Sequence, residues 1–212
     1  MKRSLTPWVL ALAFSAVLWA HPHVGIDAKL QFEFESELCT GFWEDWTFDV
    51  VFSAQLINDF DANKNGSFEP AEIAKVQAGA FSNLKKYGYF TFMRKGSTRL
   101  APQAVDGFSA RIDTGKVSYR FRVPLDGKTY GDDFYVAVFD TTFYCAIRYT
   151  EDSASLVGLA DPASMAWSRE LNKKFPVYYN PSGTPTDGTV YKTWQKGLET
   201  AFPEEIRVAR SQ

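Results

Sequence analysis

The sequence predicts an α+β fold: a mainly antiparallel β-sandwich-like domain, interrupted by an inserted helical hairpin and followed by a C-terminal helical or irregular tail. Three observations predict it. Short stretches rich in aromatic and β-branched residues recur between Val24 and Tyr149, separated by turn residues. Between residues 49 and 86 the apolar spacing changes from two to the helical period. Beyond Glu151 the strand rhythm gives way to Pro, Gly and Thr with scattered aromatics. The expected organisation is a leader over 1–20, a β-rich domain over 21–152 with the insertion at 49–86, and a tail over 153–212 that extends the same domain.

The leader comes first. Lys2 and Arg3 precede an apolar run from Pro7 to Trp19, and Ala20 supplies a small residue for cleavage. The run is short for a membrane span, and no second one follows. The sequence therefore predicts a periplasmic or secreted chain that starts at His21, with 192 residues, enough for one domain with a core. Without Lys2 and Arg3 it carries 21 basic and 25 acidic residues, a formal charge of −4. A mildly acidic chain with no Lys/Arg cluster argues against nucleic acid as a partner. For Cys39 and Cys145 the default in an oxidising compartment is one disulfide, although two buried thiols also fit.

The first strand is the clearest. Val24, Ile26, Ala28, Leu30, Phe32 and Phe34 fall on one face; Asp27, Lys29, Gln31, Glu33 and Glu35 fall on the other. Phe42 to Phe48 reads as a second strand. Further strands are expected at Tyr87–Met93, Val105–Ile112, Val117–Val123, Phe134–Phe139 and Phe143–Tyr149. In the tail, Asp161-Pro162 reads as the cap and first residue of a helix to Lys174, and Val190, Trp194, Leu198 and Ala201 form a second helical stripe.

The insertion carries the most specific motif. Asp61 to Glu72 matches the EF-hand calcium loop at every defined position. Asp61, Asn63, Asn65, the Ser67 carbonyl, Glu69 and a bidentate Glu72 supply the hard oxygens that Ca²⁺ takes, and Gly66 permits the sharp turn. Phe52, Leu56, Ile57 and Phe60 before the loop, and Ile73, Val76, Ala80, Phe81 and Leu84 after it, have helical spacing. One loop with two Asn ligands predicts weak binding, suited to a structural clamp outside the cytosol.

Cleavage after Ala20 would place His21 at the N-terminus with His23 two residues on, and these are the only two histidines in the chain. A terminal histidine offers an amine and a ring nitrogen to one metal, and a second imidazole completes a three-nitrogen set suited to Zn²⁺, Ni²⁺, Co²⁺ or Cu. Pro22 has no amide proton to lose, which excludes the square-planar alternative through a deprotonated amide. On an extended strand the two histidines share a face about 7 Å apart at Cα. With no internal histidine and no G-x-S-x-G or phosphate-binding loop, a serine or cysteine hydrolase is excluded, and the expectation is a protein that is not an enzyme.

His21-Pro22-His23-Val24, Trp46-Thr47-Phe48-Asp49, the Asp61–Glu72 loop, Tyr89-Phe90-Thr91-Phe92 and Phe139-Asp140-Thr141-Thr142-Phe143-Tyr144 are motifs through which the chain resembles a family of uncharacterised periplasmic proteins, the domain-of-unknown-function family 1007. The resemblance covers residues 21–152. Val50 stands where that family usually has Glu, and the cysteine pair and the tail look peculiar to this chain. Members carry the label of an ABC-type transport system periplasmic component, and they are often paired with nickel/cobalt-exporter-type permeases. The resemblance thus implies transition-metal traffic, Zn²⁺ first, then Ni²⁺/Co²⁺ or Cu, with a membrane permease as partner. By position it adds Asp49, Asp140 and Tyr144 as further candidate ligands. Two other readings stand beside it: a copper redox enzyme using the same terminal chelate, and a calcium-clamped binding module with no transition metal.

Overall fold

A computed structural model describes residues 24–127, 129–131, 133–183 and 189–211. Two five-stranded sheets carry the fold. The chain begins with β1 (Val24–Ser36) and β2 (Leu38–Phe48), an antiparallel hairpin. Two helices follow, α1 (Val50–Phe60) and α2 (Pro70–Gly79). A 3-10 segment, Phe81–Phe90, breaks at Gly88 and Tyr89, both in the left-handed region. Then come β3 (Thr91–Lys95), β4 (Thr98–Leu100), β5 (Asp106–Asp113), β6 (Lys116–Pro124), β7 (Asp133–Val138) and β8 (Cys145–Leu159). The tail adds β9 (Met165–Leu171), β10 (Val177–Tyr179), β11 (Glu199–Ala201) and β12 (Glu204–Arg210).

The first sheet runs β5-β6-β2-β1-β8 and the second β4-β3-β7-β12-β9; β10 and β11 form a small ribbon. All pairings are antiparallel except β1 with β8, which is parallel. The alternation read in β1 is obeyed: its even-numbered apolar residues from Val24 to Phe34 are buried, and the odd face carries polar groups such as Asp27, which Arg148 of β8 binds at 2.5 Å. Aromatic rings join the two sheets. Phe32 of β1 meets Phe134 of β7 edge-on at 5.8 Å. Tyr149 of β8 reaches β7 through its hydroxyl, which accepts from the Val138 N–H at 3.0 Å. Trp46 is fully buried, stacked on Phe90 and edge-on to Phe121.

Glu44 lies in this apolar layer with no solvent exposure, because it falls on the same phase of β2 as Phe42, Trp46 and Phe48. The indole of Trp46 donates to one carboxyl oxygen at 2.8 Å, and the hydroxyl of Thr91 lies 2.7 Å from the other.

The mainly antiparallel pairing expected is found, with β1–β8 as the parallel exception among the described residues. The structure corrects two expectations. The tail is not helical. Residues 165–171 form a strand whose backbone groups are satisfied along β12, and Asp161-Pro162 starts a turn in which Asp161 accepts from the Ala163 N–H at 2.9 Å. Val190 and Trp194 are mostly exposed and form no helical stripe. Cys39 and Cys145 are free thiols, not a disulfide. Cys39 pairs with Phe34 and Cys145 with Val24, at opposite ends of β1. That separation is about 33 Å, far beyond the roughly 7 Å that a disulfide can bridge between Cα atoms. Denatured without reductant, the protein should take up two equivalents of a thiol label; uptake of none would restore the bridge.

Candidate metal sites

The helix–loop–helix hangs on the start of β1. Asp49 caps α1: one carboxyl oxygen accepts from the Phe52 N–H at 2.9 Å, and the other from the Gly25 N–H at 2.5 Å. These donors hold its carboxyl below the usual range although burial works the other way. Ser53 ties the same helix to β6, accepting from the Val117 N–H at 2.9 Å.

The loop folds about Asp61, which is buried. Its two oxygens accept from the N–H groups of Asn65 (3.2 Å) and Gly66 (3.0 Å). Gly66, at φ +78°, makes the turn that the motif requires. Asn63 and Asn65 accept in turn from the N–H groups of Asn65 and Ser67 at 3.0 and 2.8 Å. Both Asn amides also donate to Glu69, so these three side chains and Asp61 ring one spot. Phe68 is buried in the core, as the apolar position of the loop demands. Glu72 closes the ring: its oxygens accept from Ala62 N–H at 2.8 Å and Glu69 N–H at 3.1 Å, which also lowers its pKa. The donor set is all oxygen, the chemistry of a hard cation. Among the described residues no group of three or more His, Cys, Asp or Glu side chains is arranged to hold a metal ion by itself.

The second candidate site is the histidine pair that precedes Val24 in the sequence. His21 and His23 lie outside the described residues. What surrounds the strand just after them is defined. Parallel pairing sets Cys145 beside Val24, and Asp49 holds Gly25. Asp140 organises the turn into β8: one oxygen accepts from the backbone and hydroxyl of Thr142, both at 2.8 Å, the other from the Cys145 N–H at 3.1 Å. Burial pushes the Cys145 thiol well above its ordinary pKa, and Asp140, to which it is hydrogen-bonded, raises it further. Tyr144 is half-buried and packs against the core. Of the three positions named from the resemblance, Asp49 and Asp140 thus come to the start of β1 with their oxygens engaged by backbone donors. The sequence reading missed Cys145 as their neighbour. The missing signal was the parallel pairing, which no local pattern announces.

A family model described as "Protein of unknown function (DUF1007)" matches residues 6–209. The chain belongs to the DUF1007 family. The match takes in β9 to β12, so the tail is a family feature and not peculiar to this chain. An uncharacterised 15.5 kDa protein in the trpE 3' region of Spirochaeta aurantia is 34% identical over 123 residues, covering 53% of this chain and 88% of its own length. An uncharacterised protein of Haemophilus influenzae is 26% identical over 151 residues, 69% of this chain and 71% of its own. No solved structure matches. Among the described residues no helix is long and apolar enough to cross a membrane.

Proposed function

We propose that this DUF1007 protein is a periplasmic metal-binding protein that delivers a divalent transition metal to a membrane permease, or accepts one from it, with Ca²⁺ held at Asp61–Glu72 as a structural clamp. The supporting observation is the placement of Asp49 against Gly25, so that a carboxylate flanks the strand just past His23 on its polar face, whereas Cys145, paired with Val24, lies on the core face. The amine and ring of His21 and the ring of His23 would hold the metal. Zn²⁺ suits that nitrogen set, with Ni²⁺/Co²⁺ and Cu next.

Isothermal titration of Zn²⁺ into the protein beginning at His21, and into a form with one extra residue before it, tests this reading. The extension removes the amine–ring chelate, and the affinity should fall by about tenfold or more. Equal affinity in the two forms would overturn the terminal chelate.

A further inference from the structure

A second site lies on the other sheet, and nothing in the metal reading uses it. Arg94 of β3 and Arg99 of β4 both bind Glu205 of β12, at 2.6 and 3.0 Å. Glu205 is fully buried and Arg94 nearly so. One carboxylate therefore serves two guanidinium groups, and among the described residues one positive charge is left over. A partly buried charge without a counter-ion is costly, and an anion supplied from solution relieves that cost.

Arg99 is where the surplus faces outward. Its Nε and Nη2 donate to Glu205 and its Nη1 to the Phe175 carbonyl at 3.1 Å, so one N–H on each terminal nitrogen has no acceptor among the described residues. The guanidinium carbon sits 5.2 Å from the ring centre of Phe139 and 5.4 Å from that of Phe175. These groups open into a cavity of about 620 Å³, walled beyond them by Tyr178 and Tyr191, which pair across an isolated β-bridge. Lys174 and Lys192 stand at the same cavity, both exposed, and the described residues that line it include no Asp or Glu. The size is that of a small-molecule site, apolar and aromatic with a few convergent polar groups.

We propose that this cavity binds a small organic anion with a flat apolar body, its carboxylate or phosphoester oxygens on Arg99 and its body among Phe139, Phe175, Tyr178 and Tyr191. Arg presents a planar fork that matches such an anion, and the rings supply the apolar contact. The metal proposal is independent of this one, because the two sites share no residue.

The test is isothermal titration of 2-naphthoate into the protein, with 2-naphthalenemethanol as neutral isostere and inorganic phosphate as the anion alone. 2-Naphthoate should bind about tenfold or more tightly than either control, the effect of one charge-assisted pair set against its absence. Arg99→Met should abolish the difference between naphthoate and its alcohol. If that variant fails to fold, Tyr191→Ala at the cavity rim decides: it should weaken naphthoate binding severalfold at an unchanged melting temperature. Absence of naphthoate binding, equal binding of the alcohol, equal binding of phosphate, or unaltered binding by the Tyr191 variant would each overturn the proposal.

Discussion

Replacing Glu44 by glutamine should flatten the pH dependence of this protein's stability. The reason starts with one hydrogen atom. The Thr91 hydroxyl oxygen lies 2.7 Å from a Glu44 oxygen and 2.9 Å from the Tyr89 carbonyl. It has a single proton, and the carbonyl has none, so both contacts are hydrogen bonds only if Glu44 brings a proton of its own. Burial pushes the Glu44 pKa from 4.5 to about 8, although the bonds from Thr91 and Trp46 oppose the shift. Below pH 4.5 the folded and unfolded chains both hold the proton. Between 4.5 and 8 only the folded chain keeps it, so unfolding releases it and stability falls as pH rises. The loss attributable to Glu44 over that window is about 5 kcal/mol, an order-of-magnitude figure. The amide of Glu44→Gln donates to Thr91 and accepts from Trp46 without a proton to lose. Urea unfolding across pH 4 to 9 should therefore show the variant matching the parent in acid and exceeding it at pH 8. Parallel curves would mean that Glu44 stays ionised in the fold.

Calcium should have the next largest effect. At about 10 mM Ca²⁺, a site with the roughly 0.1–1 mM affinity of extracellular modules stabilises the fold by about 1.5–2.5 kcal/mol. In a domain of this size that raises the melting temperature by about 3–10 °C. Glu72→Gln should abolish the rise, because it removes the bidentate carboxylate while keeping an acceptor for one of the two N–H groups, Ala62 or Glu69, that the carboxylate binds. Chelator-treated protein melting at the same temperature with and without Ca²⁺ would remove the clamp from the account.

Legibility followed the range of the forces involved. Strands whose partners are near in sequence could be read: the phase of β1, the β5–β6 turn at Asp113–Lys116 and the Asp61–Glu72 loop all rest on residues within a dozen positions of each other. Glu44 was not singled out, although an acid on the apolar phase of a strand between Phe42 and Trp46 is a local anomaly. What could not be read depends on distant pairing. The β1–β8 ladder brings Cys145 to Val24 and parts it from Cys39. The tail was misread because Asp161-Pro162 opens turns as well as helices, and only the β12 ladder decides between them. The Arg94–Glu205–Arg99 group gave no signal, for its members lie 106 or more residues from the shared acid.

The placement of β12 between β7 and β9 has a consequence for biogenesis. Both flanking strands leave the ribosome before the segment that must wedge between them. Until it arrives, two hydrogen-bonding edges stay unsatisfied and the Arg94 and Arg99 guanidiniums have no Glu205. Completion of the second sheet thus waits on β12. A nascent chain stalled short of residue 204 would present two open templates for aggregation.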